Sequence, residues 1–306
     1  MKLAAALGLV YVVWGSTYLA IAVADRTLPP LLTLSVRFLL AGAILYAWAA
    51  RRGAPRPGLR EWRAAATVAV LLLVIQTGTV ALAEKHVPTG LAALIVASVP
   101  LFMAMIDRAL FGVRIPLLAG AGILAGLAGV GLLVGGGSGS VDPLWALVLI
   151  GGAFVWAAGS AYARVAPLPG NTALSAGMQM LTASVMLAVL GVSTGEAGRV
   201  HLSAVSPASL GSLVFLVSFG AVGVYTAYSW LLKNAPTPLL STYAYVNPVI
   251  AVGLGWALAG EQLGARELVA GLVVLASVAL ILLARQPARA PEPKPIRAAA
   301  RATVGA

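Results

Sequence analysis

Ser241, Thr242, Tyr243, Ala244, Tyr245, Val246, Asn247 and Pro248 put two tyrosines, an amide and a proline inside an apolar run from about residue 239 to 259. None of these side chains suits bond-breaking chemistry. They suit hydrogen bonding to a solute in apolar surroundings. On a helix Tyr243 and Asn247 share a face, while Tyr245 turns away. Pro248 releases the carbonyl of Ala244 from its helical bond, which leaves an acceptor beside Asn247. Two further sets are similar in kind: Trp14, Ser16 and Tyr18, and Trp156, Ser160 and Tyr162, joined by Tyr225 and Tyr228. Aromatic walls with scattered hydroxyls fit amphipathic metabolites. Trp and Tyr also serve as interface anchors, a reading that covers Trp62 and Trp145 and leaves Trp14 and Trp156 open. Gln76 and Gln179 either bridge helices or meet the solute. Arg37 is the formal charge well inside an apolar run, and a buried charge is costly enough to mark a functional candidate. Its alternatives are a backbone-bonded structural role, or holding a solute carboxylate or a gate.

The missing residue types narrow the chemistry. There is no cysteine, so disulfides and thiolate metal sites are excluded. The two histidines, His86 and His201, fall in expected loops. No Asp, Glu or His lies deep in an apolar run; Glu84 and Asp107 sit at ends, and Glu261 just beyond one. Proton-coupled cation pumps usually keep an embedded carboxylate. Its absence favours neutral, zwitterionic or amphipathic substrates, with coupling through Glu84, His86 or Asp107 still open. No phosphate loop, paired carboxylate or metal cluster is present. An enzyme is therefore not expected, nor a cofactor or bound metal; a channel or a non-transporting membrane receptor remains the alternative to a carrier.

These residues need apolar elements to position them. Of 306 residues, 60% are hydrophobic and 9% charged, with mean hydropathy +0.97; soluble domains carry about 25% charged residues. The composition demands a polytopic membrane protein whose main partner is the lipid bilayer. Hydropathy predicts an all-α fold with ten transmembrane helices near 3–23, 31–50, 64–83, 89–106, 116–133, 144–163, 173–192, 210–232, 237–259 and 267–284. With the N-terminus inside, the inner segments hold Lys2, Arg51, Arg52, Arg56, Arg60, Arg63, Arg108, Arg114, Arg164, Lys233, Arg285, Arg289, Lys294, Arg297 and Arg301, whereas the outer loops hold Arg26, Lys85, Arg199 and Arg266. This bias places both termini in the cytoplasm. It also accounts for the net charge of +11 without nucleic acid as a partner. Residues 285–306 read as a disordered basic tail. A cleaved signal peptide ending at Ala22-Val23-Ala24 is the competing reading of the start, but the apolar stretch is too long for one.

The chain repeats itself. Gly15-Ser16-Thr17-Tyr18 matches Gly159-Ser160-Ala161-Tyr162, and Arg37-Phe38-Leu39 aligns with Gln179-Met180-Leu181. Pro88-Thr89 matches Pro236-Thr237, Pro100 matches Pro248, and Gly112 matches Gly260. The halves are therefore 3–133 and 144–284, each with five spans. An odd number turns the second half upside down, giving inverted repeats that suit alternating access. Pro100 and Pro248 would be paired hinges. Gly122 and Gly126 permit close helix packing within or between chains; a monomer is expected, with a dimer the alternative.

Val13-Trp14-Gly15-Ser16-Thr17-Tyr18, Val36-Arg37-Phe38-Leu39, Pro88-Thr89-Gly90-Leu91-Ala92-Ala93, Val99-Pro100-Leu101-Phe102, Tyr243-Ala244-Tyr245-Val246-Asn247-Pro248 and Gly260-Glu261-Gln262-Leu263 together resemble the EamA branch of the drug/metabolite transporter superfamily, in particular its YedA-type inner-membrane exporters. The resemblance covers about residues 3–284. It implies ten helices in two inverted repeats, a central cavity shared by both, and export of metabolites, amino acids or drugs across the inner membrane. It names no single substrate. The first-helix carboxylate of the superfamily's small multidrug branch has no counterpart here.

Overall fold

An apolar run in lipid must pair its backbone amides within itself, and a helix does this locally. The computed structural model describes residues 3–112, 115–134, 142–235, 237–240, 242–261 and 264–284, and these are helical apart from short connections. The longer helices are α1 (Leu3–Ala24), α2 (Pro30–Arg51), α3 (Leu59–Ala83), α4 (Thr89–Phe111), α5 (Leu117–Val134), α6 (Pro143–Val165), α7 (Thr172–Ser193), α8 (Pro207–Asn234), α9 (Tyr243–Ala259) and α10 (Ala265–Ala284), with a separate short helix, Thr237–Leu240, before α9. Seven of them, α1 to α4 and α6 to α8, are long and apolar enough to cross a membrane, whereas the apolar parts of α5, α9 and α10 are shorter. The tail 285–306 and Pro236 lie outside the described residues.

Boundaries follow capping chemistry. The structure starts α3 earlier than hydropathy does, because the Gly58 amide donates to Glu61 Oε2 at 2.8 Å and extends the helix into polar sequence. Ser206 starts α8 in the same way, its Oγ accepting from the Ser209 amide at 3.0 Å. Gly112 and Gly260, the matched pair, end α4 and α9 in the same left-handed conformation, with φ of 66° and 69°. The α3 and α8 helices each contain a widened π-helical stretch, Ala69–Gln76 and Ser218–Gly223. Such stretches misalign the hydrogen-bond ladder and recur at functional sites.

The two prolines behave differently. The α4 helix is interrupted at Ala97-Ser98 and restarts at Val99, with Pro100 in its new first turn. The α9 helix runs through Pro248.

Packing pairs the halves. The α2 helix lies along α7, and α5 along α10. The α1 helix packs on α8 and α9, while α6 packs on α3 and α4. Small residues permit these approaches: a Cβ on Gly42 would meet the Leu181 amide at 2.9 Å, and one on Gly122 would meet the Ser277 carbonyl at 2.8 Å. Gly122 and Gly126 thus pack inside this chain, against α10 and Leu101. Leu124, Val185, Val249, Trp256 and Leu272 face outward, exposed, a surface suited to lipid rather than water.

The bundle has two distinct ends. At one, the carboxylates of the second half hold helix starts of the first. Glu196 accepts from the Leu31 and Leu32 amides at 3.3 and 3.0 Å. Glu261 accepts from the Thr89 and Gly90 amides at 2.8 and 3.1 Å, and from the Thr89 hydroxyl at 2.6 Å. Both exploit unpaired amides and the positive end of the helix dipole. At the other end, the Arg164 guanidinium is ion-paired with Asp107, joining α6 to α4. Lys233 Nζ there donates to the Pro169 carbonyl at 3.0 Å.

Candidate functional site

Four aromatic rings meet at the centre of the bundle. Trp14 of α1 stands edge-on to Trp156 of α6 and to Tyr243 of α9, with centroids 5.4 Å away in both cases. Its ring lies 4.8 Å from that of Tyr228 of α8. Such geometry matches positive ring edges to negative faces. The Tyr228 hydroxyl is the hub: it accepts from Trp156 Nε1 at 3.1 Å and shares a 2.8 Å hydrogen bond with Ser160. A buried phenol needs such partners, since an unpaired one costs about 1–3 kcal/mol.

Beside this cluster lies a cavity of about 100 Å³. Trp14, Thr17, Tyr18 and Ile21 line it from α1, Arg37 and Phe38 from α2, and Gln76, Thr77 and Val80 from α3. Val96 and Val99 come from α4, Trp156 from α6, Gly220 and Tyr225 from α8, and Tyr243 and Asn247 from α9. Both halves contribute. Most of the lining residues of α1, α2 and α3 fall on the carboxylate-capped side of the helix middles. The aromatic hub and the Arg164–Asp107 pair lie on the other side.

Eight of the candidates read from sequence therefore share one cavity: Trp14, Tyr18, Arg37, Gln76, Trp156, Tyr225, Tyr243 and Asn247. Ser160, Tyr228 and Gln179 stand behind them, buried. Gln179 takes the helix-bridging role, accepting from the Tyr225 hydroxyl at 2.5 Å and donating to Ser175 at 3.0 Å. Two candidates are elsewhere. Ser16 bonds its own helix, donating to the Val12 carbonyl at 2.8 Å. The cavity stripe of α1 runs Trp14, Thr17, Tyr18, Ile21, at helical spacing, and Ser16 falls off it. Tyr162 lines a separate recess with Arg60 and Arg63. The Asn247 amide, oriented to satisfy its neighbours, donates to the carbonyls of Tyr11 and Tyr243 at 3.1 and 3.2 Å, so it ties α1 to α9 as well as lining the cavity. Tyr11 and Thr242, the residue before α9, add a hydroxyl–hydroxyl bond beside it. The side chain of Tyr245 lies outside the described set.

Sequence reasoning missed Thr17 and Gly220. The first was hidden by the more conspicuous serine before it. The second contributes a backbone carbonyl, which no side-chain motif reports. It also missed Glu196, a buried carboxylate whose partners are 164 and 165 residues away.

At the carboxylate-capped end, two acids sit with buried, unpaired oxygens: Asp25 Oδ2 and both oxygens of Glu84. Burial raises the Asp25 carboxyl to about 8, with Lys85 opposing and Glu196 reinforcing the shift. Burial likewise lifts Glu84 well above the usual range, reinforced by Asp25 and Glu261.

The sequence profile described as the EamA-like transporter family matches residues 2–135 and again 143–283. The chain belongs to that family. The two matches coincide with the two halves, and the family is a branch of the drug/metabolite transporter superfamily. The chain is 39% identical over 288 residues to the uncharacterized inner membrane transporter YedA of Escherichia coli K12, covering 93% of this chain and 92% of that one. It is 23% identical over 279 residues to a probable amino-acid metabolite efflux pump of the same organism, covering 87% and 90%. A solved structure, described only as the crystal structure of a protein, overlays with TM-score 0.66 at 21% identity, over 92% of this chain and 98% of that one; this likeness shows the fold alone. Family and relatives point to a multi-pass membrane transporter rather than an enzyme.

Proposed function

We propose that this chain is a secondary transporter that exports small neutral, zwitterionic or amphipathic metabolites, including amino acids or drug-like compounds, across the inner membrane by alternating access. In this reading ten spans form two inverted five-helix repeats, with both termini in the cytoplasm. The observation that carries it is one aromatic-walled cavity built jointly by both halves. The names of the relatives support the inner membrane and metabolite efflux.

The matched packing of α1 on α8 and α9 and of α6 on α3 and α4 supports two pseudo-equivalent halves. The π-helical stretches of α3 and α8 support it too. In such a bundle, exchanging the conformations of the halves moves the barrier from one end to the other. The arginine-bearing end, with Arg51 to Arg63 and Arg164, is the cytoplasmic one. The rings of Trp14, Trp156, Tyr228 and Tyr243 and the Arg164–Asp107 pair then form the inner barrier. Pro100 and Pro248 are the hinges, α4 already broken beside its proline.

The test is counterflow in proteoliposomes with a panel of amino acids, sugars and cationic drugs. A carrier gives saturable counterflow for at least one compound; flux that never saturates supports a channel, and binding without flux a receptor. The chain has no cysteine, so single-cysteine labelling is clean. Cysteines placed near Arg51 and near Arg199 label from opposite faces if the halves are inverted, and labelling on one face refutes the topology.

A further inference from the structure

Arg37 is held in place by far less than its charge requires. The residue is 4% exposed and lines the cavity. Its Nη2 donates to the Gly220 carbonyl at 3.0 Å. Its Nε and Nη1 are buried with no hydrogen-bond partner. The guanidinium carbon lies 5.2 Å from the Phe38 ring centroid, and no carboxylate among the described residues is paired with it. A guanidinium presents five donors and keeps its proton. Leaving such a group desolvated and unpaired is strongly unfavourable unless something else satisfies it. The unused donors belong to a side chain that borders a cavity with room for a solute, whose other wall is aromatic.

We propose that Arg37 is the subsite for a substrate carboxylate, so that the cargo class is small monocarboxylates, amino acids included, with an aromatic or branched apolar body. This rests on the cavity being the transport pathway. The carboxylate accepts from Nη1 of Arg37 or, on the opposite edge, from Nε, after a small turn of the guanidinium toward the cavity, and the apolar body packs on Trp14, Trp156 and Tyr243. Charge-assisted bonds of this kind are the strongest that a neutral-walled cavity offers. Gly220 positions the guanidinium. A Cβ there would lie 3.0 Å from Arg37 Nη2 and 3.2 Å from Thr17 Cγ2, so a side chain at 220 displaces the donor fork.

The test pairs 3-phenylpropionate with 3-phenylpropanamide, and phenylalanine with phenylalaninamide, on the purified full chain. Binding is read as thermal stabilisation in detergent and transport as counterflow in proteoliposomes. The acids are expected to stabilise the protein at concentrations at least tenfold lower than the amides, and to drive counterflow that the amides do not. Arg37→Gln is expected to remove this preference for acids. Arg37→Lys keeps charge without the planar fork, and is expected to raise KM about tenfold while retaining the acid preference. Gly220→Ala is expected to weaken acids more than amides. Equal stabilisation by acid and amide on the wild type overturns the proposal, and that readout needs no variant to fold. Acid-selective binding without any flux supports the subsite while sinking the transport reading, so the two failures are distinguishable.

Discussion

The two ends of this bundle are fastened by opposite logic. At one end, Glu196 and Glu261 cap helix starts through backbone amides, while Asp25 and Glu84 sit buried nearby with unpaired oxygens. At the other, a side-chain ion pair, Arg164–Asp107, closes the gap between α6 and α4. The amide caps spread each carboxylate over two backbone amides of a helix start in the other half. A side-chain pair between two helices can break and reform. The comparison teaches that one end is fastened by several bonds to backbone amides and the other by a side-chain pair, which in the proposed transport cycle makes the arginine end the one to test for opening.

The largest expected effect comes from breaking the ion pair one-sidedly. Arg164→Ala leaves the mostly buried Asp107 without this partner and should cost about 3 kcal/mol, read as a lower unfolding midpoint in detergent. The double change Arg164→Met with Asp107→Leu should recover most of that loss and raise labelling of a cysteine at Ser160 from the cytoplasmic face. Recovery of stability without greater labelling would show that the pair is no gate.

Glu261→Ala removes three hydrogen bonds from the start of α4 and should cost about 2 kcal/mol, against about 1 kcal/mol for Glu196→Ala with its two longer bonds. Equal losses would show that the capped end rests on more than cap geometry.

Tyr228→Phe strips the hub hydroxyl from Trp156 and Ser160 and should cost about 1 kcal/mol. Flux in proteoliposomes should fall less than with Trp156→Ala, because the ring remains. A larger loss of flux than Trp156→Ala causes would make the hydroxyl network, not the rings, the inner barrier.

A separate effect concerns pH. A carboxyl whose folded pKa is raised stabilises the fold most below its unfolded value, and that contribution is lost as pH rises toward the folded value. For Asp25, raised from 3.8 to about 8, the unfolding midpoint should fall as pH rises from about 4 to about 8 and level off above that. Asp25→Asn should flatten that slope. A slope unchanged by Asp25→Asn would assign it to Glu84.

The helices were legible because each is a local property: an apolar run, in seven of them long enough to cross a bilayer. So was the repeat, through Gly112 and Gly260, which adopt matching left-handed caps. The central site was legible where side chains are conspicuous, as with Trp14, Trp156 and Tyr243. It was not legible where contacts span the chain or use backbone. Glu196 reads as an ordinary loop acid until α7 is laid along α2, and the Gly220 carbonyl has no sequence signature. Pro100 and Pro248 looked equivalent, yet only α4 is interrupted beside its proline.

By itself, the sequence determined that this protein spans a membrane as paired helical halves with little titratable chemistry at depth. Hydropathy and helical period act over neighbouring residues, so no tertiary information is needed for that. Only the tertiary structure decided which aromatic rings meet, which stripe of α1 faces the cavity, and that Arg37 ends there with unspent donors. Those outcomes depend on how helices far apart in the chain rotate and cross, and packing against partners sets that rotation.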